Sequence, residues 1–107
     1  MAAATEPEVR RNDQRSRYEL WLGDENVGHI RYRADDDGRR VFVHTEVDDG
    51  HQGEGLAGTL VRRALEQERA AGGQVIAQCP YVRKFVHEHP EYTDVVVGEL
   101  GPSNAGP

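Results

Sequence analysis

The stretch VFVHTEVDDGHQGEGLAG, residues Val41–Gly58, decides the fold. Val41, Val43, Thr45 and Val47 alternate with Phe42, His44 and Glu46, a period of two built from strong strand formers. Beyond the turn Asp48–Gly53 the period changes. Leu56, Ala57, Leu60, Val61, Ala64 and Leu65 recur at three- and four-residue spacing, while Arg62, Arg63, Glu66 and Gln67 point away, which predicts a helix over Gly55–Ala71. Gly53 and Gly55 let the backbone pass close to a ligand and leave the first helical N–H groups unobstructed. Those groups, with the positive end of the helix dipole, attract phosphate. The stretch is a phosphate cradle in outline.

Two readings compete for the turn. Gly53-Glu54-Gly55-Leu56-Ala57-Gly58 is G-x-G-x-x-G, the dinucleotide fingerprint. A Rossmann turn enters that fingerprint almost directly from its strand, whereas Gly53 lies six residues beyond Val47. The next strand, Gln74–Gln78, also ends without the acidic residue that holds a ribose. The second reading starts one residue earlier. Gln52-Gly53-Glu54-Gly55-Leu56-Ala57 fits Q/R-x-x-G-x-G/A, and resembles the acyl-CoA pyrophosphate loop of the GNAT acetyltransferases. This second reading is preferred.

Outward from this stretch, the chain reads as one domain of 107 residues. Met1–Ser16 is polar and aperiodic, and is expected to be a disordered leader, 1–16. Tyr18–Leu22 and Val27–Arg33 alternate as strands, turned by Gly23–Asn26 and Asp35–Gly38, which predicts an antiparallel meander into Val41–Val47. Gly72-Gly73 stops the helix, and Gln74–Gln78 is expected to run parallel to Val41–Val47 because a helix joins them. Pro80 is favoured at the first position of a second helix, whose face is Val82, Phe85 and Val86, ended by Pro90. Tyr92–Val97 reads as a last strand, closing a domain over 17–97 ahead of a flexible tail, 98–107.

Charge and cysteine content narrow the function. A net charge of −6 argues against a nucleic-acid binder relying on overall attraction, and requires local donors for any polyanion. The single cysteine excludes an intramolecular disulfide. No apolar run is long enough to span a membrane and no secretory signal is present, so a cytoplasmic monomer is expected. Asp35-Asp36-Asp37 lacks the spacing of a calcium loop, and His87-Glu88-His89 diverges on a helix, so no metal is expected.

HTEV (His44–Val47), the glycine loop and CPYVRKFVHEHPEY (Cys79–Tyr92) together resemble small single-domain GNAT-like proteins of the YjdJ type, over Tyr18–Val96. The resemblance implies a compact α+β fold: a mixed, mainly antiparallel sheet, two principal helices and a splayed parallel strand pair. It implies acetyl-CoA (coenzyme A) bound between the strands ending at Val47 and Gln78. Backbone near Glu46 and Val47 would hold the pantetheine arm. Gln52, Gly53, Glu54, Gly55, Leu56, Ala57 and Gly58 would form the pyrophosphate loop. Arg83 and Lys84, with Arg62 or Arg63, are candidates to meet CoA phosphates, against a solvated helix face as the commoner reason for such pairs. The chain has little room for the additional N-terminal helices and the longer C-terminal hairpin of full-size GNAT enzymes, so an open acceptor site is expected.

Cys79, Glu46 and His44 are the candidates for chemistry. Cys79 is expected as the N-cap of the second helix, where the dipole and free N–H groups favour a thiolate, beside the place implied for the thioester. Glu46 and His44 share one side of their strand, about 7 Å apart along it. A carboxylate there is the usual general base in the related enzymes, and His44 is a second candidate, orienting or deprotonating Cys79 across the splay. Core packing is the expected role of Tyr81 and Tyr92, with protonation of the departing CoA thiolate, the part a tyrosine plays in many of the related enzymes, as the alternative. The function expected is transfer of an acetyl group to an amine; the alternative is a non-catalytic CoA-binding or sensing module.

Overall fold

Tight turns with left-handed residues, Gly23 at φ 63° and Gly38 at φ 83°, fold the first half of the chain into a meander. The structure, a computed structural model, describes residues 6–100. Its elements are β1 (Pro7–Asn12), β2 (Arg17–Leu22), β3 (Glu25–Ala34), β4 (Arg40–Val47), α1 (Leu56–Ala70), β5 (Val75–Ala77), α2 (Pro80–Glu88) and β6 (Val96–Glu99). The six strands form one sheet in chain order. β1 to β4 pair antiparallel, and β4–β5 and β5–β6 pair parallel. Each parallel step needs a crossover, and α1 and α2 supply the two.

Both helices bury their apolar stripes against the same side of the sheet. Leu60, Val61, Ala64 and Leu65 of α1 and Val82, Phe85 and Val86 of α2 join Tyr18, Leu20, Ile30, Phe42, Val75 and Ala77 in one core. The opposite side carries no helix among the described residues. Each buried Leu, Ile, Val or Phe here is worth about 1.5–3 kcal/mol against full exposure.

One charge lies in that core. Glu68 continues the buried stripe of α1 and is 0% exposed. It accepts a 2.6 Å hydrogen bond from the Tyr18 hydroxyl, and Nη1 of Arg40 reaches both carboxylate oxygens at 2.9 and 3.1 Å. Burial and the neighbouring Glu68 push the Tyr18 phenol well above its usual range, so it stays a donor. Gly73 leaves the room this needs: a Cβ there would come within 2.3 Å of a Glu68 oxygen.

Several expectations are corrected. The leader 1–16 contains β1, whose Val9 is 7% exposed beneath the sheet opposite Leu20 and whose carbonyl accepts from the Gln67 amide at 2.8 Å. A strand with one buried side chain has no periodicity to read; residues 1–5 lie outside the described residues. Tyr92 sits in a 3-10 turn, Pro90–Tyr92, and the last strand starts only at Val96. Gly98 and Glu99, assigned to the tail, pair with Ile76 and Ala77, while residues 101–107 lie outside the described residues. The alternation expected in β4 breaks at Val43. The register runs Tyr32↔Phe42 and then Arg31↔His44, which leaves Val43 as an extra, bulged residue.

Candidate active site

The bulge sets what each face of β4 shows. Ile30 lies opposite Thr45, and Gly28 opposite Val47, so Thr45 and Val47 follow Phe42 on the helix side. His44 and Glu46 therefore face the other way, and both are exposed. Their side chains meet, His44 Nε2 to Glu46 Oε1 at 3.4 Å.

β4 and β5 separate just past the bulge. Their parallel register covers Arg40↔Val75, Val41↔Ile76 and Phe42↔Ala77 and goes no further. The Phe42 carbonyl closes the apex by accepting from the amides of Gln78 and Cys79, at 3.0 and 2.9 Å. From Val43 to Val47, β4 has β3 alone as a strand partner among the described residues. The resulting opening exposes one edge of β4 backbone, able to pair with an extended ligand as another strand would.

The glycine turn lies at the mouth of this opening. Gln52 pins it, donating from Nε2 to the Val47 carbonyl at 3.2 Å and to Asp49 at 3.3 Å. Gly53 has φ 84°, and Gly55, the N-cap of α1, has φ 76°. These angles select glycine. A Cβ at either would meet nothing within 4 Å, so the surface over the turn is open. The first backbone bond of α1 runs from Thr59 N–H to Gly55 C=O at 3.2 Å, which leaves the amides of Leu56, Ala57 and Gly58 outside the helical ladder. Open approach, free amides and a helix dipole suit a pyrophosphate.

Cys79 caps α2 at the apex. It is 4% exposed, and its thiol donates to the Thr45 hydroxyl at 3.4 Å. Thr45, which the sequence marks only as a member of the strand alternation, is thus the residue that faces Cys79, and His44 is on the far side of the strand. No histidine or carboxylate bonds the thiol among the described residues. Tyr81 is the second residue of α2, 40% exposed, with its hydroxyl 3.6 Å from where a Cβ of Gly58 would stand. It therefore bridges the first turns of α1 and α2 at the opening. Burial, then Glu88, raises its pKa, so it remains protonated. Tyr92 is buried and donates to Glu66 at 3.2 Å, away from the opening. Lys84 is exposed on α2, and Arg83 is half-buried.

A second cleft, of about 220 Å³, is lined by Val86, His87, Pro90, Thr93, Val96 and Glu99. It lies at the far end of α2 and shares no residue with the opening. Neither Cys79 nor the His44–Glu46 pair lines this cleft.

A sheet that splays beside a glycine turn at a helix N-terminus defines a class of acyl-CoA-dependent transferases. Residues 17–95 match the sequence profile of the GCN5-related N-acetyltransferases. The chain belongs to that family, whose members take an acetyl group from acetyl-CoA. The structure superposes on that of a GCN5-like protein from Staphylococcus aureus, determined by NMR in solution. The TM-score is 0.61 and the identity 25%, over 88% of each chain. An acetyltransferase from Trypanosoma brucei aligns at TM-score 0.42 and 20% identity over 77% of this chain and 62% of its own, too distant to carry an argument. No curated protein sequence matches the chain. Among the described residues no helix is long and apolar enough to cross a membrane, and no group of histidine, cysteine or acidic side chains is placed to hold a metal.

Proposed function

We propose that this protein is an acetyl-CoA-dependent N-acetyltransferase that passes the acetyl group directly to an amine. The observation that carries the proposal is the end of β4–β5 pairing at Phe42, with an open glycine turn where β4 finishes. Acetyl-CoA supplies the activated acyl group. The amides of Gly53, Glu54, Gly55, Leu56, Ala57 and Gly58 would hold its pyrophosphate, with Arg83 and Lys84 as neighbouring cations. The free edge at Glu46 and Val47 would hold the pantetheine arm.

The two faces of the opening divide the proton work. On the helix side Tyr81, held protonated, is the donor for the departing thiolate. On the other side Glu46, with His44 at 3.4 Å, is the base for the attacking amine. Cys79 lines the apex between them. Its buried thiol is engaged with Thr45 rather than with a base, which favours direct transfer over a covalent acetyl-cysteine.

The test is calorimetric titration of acetyl-CoA into the reduced protein, with NAD as the control, followed by a CoA-release assay over an amine panel. Saturable acetyl-CoA heat without NAD heat is expected, with turnover lost in Glu46→Gln and retained in Cys79→Ala. Turnover lost in Cys79→Ala, with an acetylated wild-type Cys79 seen by mass spectrometry, would replace direct transfer by a covalent route. Absence of acetyl-CoA binding would remove the enzymatic reading.

A further inference from the structure

The helix-free face beside the opening carries two rows of ionisable side chains. The register sets Arg17 opposite Arg31 and Arg31 opposite His44; two residues along, Glu19 is opposite His29 and His29 opposite Glu46. Residues paired in this way point to the same side. All six therefore share one face, three strands wide. The His29 and His44 rings lie 6.5 Å apart, centroid to centroid, which brings the two rows within reach of one another.

Most charges in these rows are already matched. Glu19 is buried and accepts from Arg17 at 2.8 Å, Asn12 at 3.1 Å and the Trp21 indole at 3.1 Å. His44 and Glu46 hold each other at 3.4 Å. Arg31 is exposed and has no hydrogen-bond or ion-pair partner among the described residues. Arg33, next on the same face, reaches among the described residues only the neutral Gln78 side chain, at 3.4 Å, and so extends from β3 to the apex of the opening. A protein of net charge −6 thus presents two unmatched guanidinium groups beside its proposed base.

Geometry decides which way an acceptor enters. The helix side of the opening is occupied by the first turns of α1 and α2, with Tyr81 against Gly58 and Cys79 closed beneath. An amine attacking a thioester in the opening must therefore arrive over the rows of Arg31, Arg33, His44 and Glu46. Guanidinium forks suit a planar carboxylate, which they bind through paired N–H groups.

We propose that the acceptor is a small amine carrying a carboxylate close to its amino group, as in an α-amino acid, with Arg31 and Arg33 recognising the carboxylate. The inference rests on the acetyltransferase reading. The amine nitrogen bonds to the acetyl carbonyl carbon and the thioester C–S bond breaks. The amine proton passes to Glu46, and the CoA thiolate takes a proton from Tyr81.

The experiment compares CoA release from acetyl-CoA with α-amino acids, with the same compounds as carboxamides, and with the decarboxylated amines. Losing a charge-assisted hydrogen bond to a carboxylate costs about 10- to 100-fold, so kcat/KM should favour the acids over the amides by that ratio. Arg31→Ala should remove the preference by raising KM for acids alone, and Arg31→Glu should reverse it towards decarboxylated, cationic amines. A second readout does not depend on turnover: the Arg31 side-chain Nε–H resonance should shift on titration with a preferred acid and not with its amide. Equal turnover of acid and amide, an unchanged ratio in Arg31→Glu, or acetyl-CoA binding with no α-amino acid used would overturn the inference while leaving the cofactor reading intact. Failure to bind acetyl-CoA at all would strike the parent reading instead.

Discussion

The two halves of β4 do opposite work. From Arg40 to Phe42 the strand is flanked on both sides, its Phe42 is buried, and Arg40 is bound to a carboxylate inside the core. From Val43 to Val47 it loses one neighbour, and His44 and Glu46 reach solvent. The first half is fixed by burial and a matched ion pair. The second keeps unpaired backbone and titratable side chains where a ligand can use them. Stability and chemistry are thus separated along eight residues of one strand.

This contrast predicts that substitutions at the closed end change stability and those at the open end change activity. The largest effect is expected for Glu68→Ala, which strands the Tyr18 hydroxyl and the Arg40 charge. Unfolding in urea should show a loss of about 3–5 kcal/mol, while surviving folded protein at low temperature still binds acetyl-CoA. Next is Glu46→Gln, for which removal of a general base should lower kcat by about 100-fold or more. Its denaturation midpoint should stay within about 0.5 kcal/mol of wild type, as for other exposed sites. A Glu46→Gln protein that unfolds early would break the division.

Gly55→Ala sharpens it. The positive φ costs a non-glycine residue about 1–2 kcal/mol, and because no atom crowds the site the effect should be conformational. Calorimetry should show acetyl-CoA affinity falling further than that strain alone reduces stability. The smallest effect concerns pH. Burial, then Arg17, lowers the His29 pKa below its usual 6.5. Below that value the unfolded chain takes up the proton more readily than the folded one, so stability falls as pH drops from neutral into the acid range, and above neutrality the term vanishes. In His29→Gln this part of the acid loss should be absent from urea titrations between pH 5 and 8.

The architecture was legible where periodicity was strong. The change from a two-residue to a helical period around Gly53 marks β4, the turn and α1, and Pro80 marks α2. β1 was not, because Val9 is its one buried side chain. Glu68 has a signal in the sequence: it falls four residues after Ala64 and three after Leu65, on the apolar stripe, with Gly73 beyond to make room. The site was legible in composition and not in orientation. Pattern alone set His44 towards Cys79; the bulge put Thr45 there. The rows linking Arg17, Arg31 and His44 depend on strand register, which side-chain alternation cannot supply across three strands.

Val43 gives that register its consequence. With unbroken alternation through Val43, Phe42, His44 and Glu46 would all point into the core. A bulge adds bend and twist locally. The opening in this sheet is a mismatch in length between neighbours: β5 ends at Ala77, opposite Phe42, while β4 runs on to Val47. Removing Val43 would take away the extra residue yet leave His44 and Glu46 on the helix-free face, so it separates the local bend from the side chains that the bend presents.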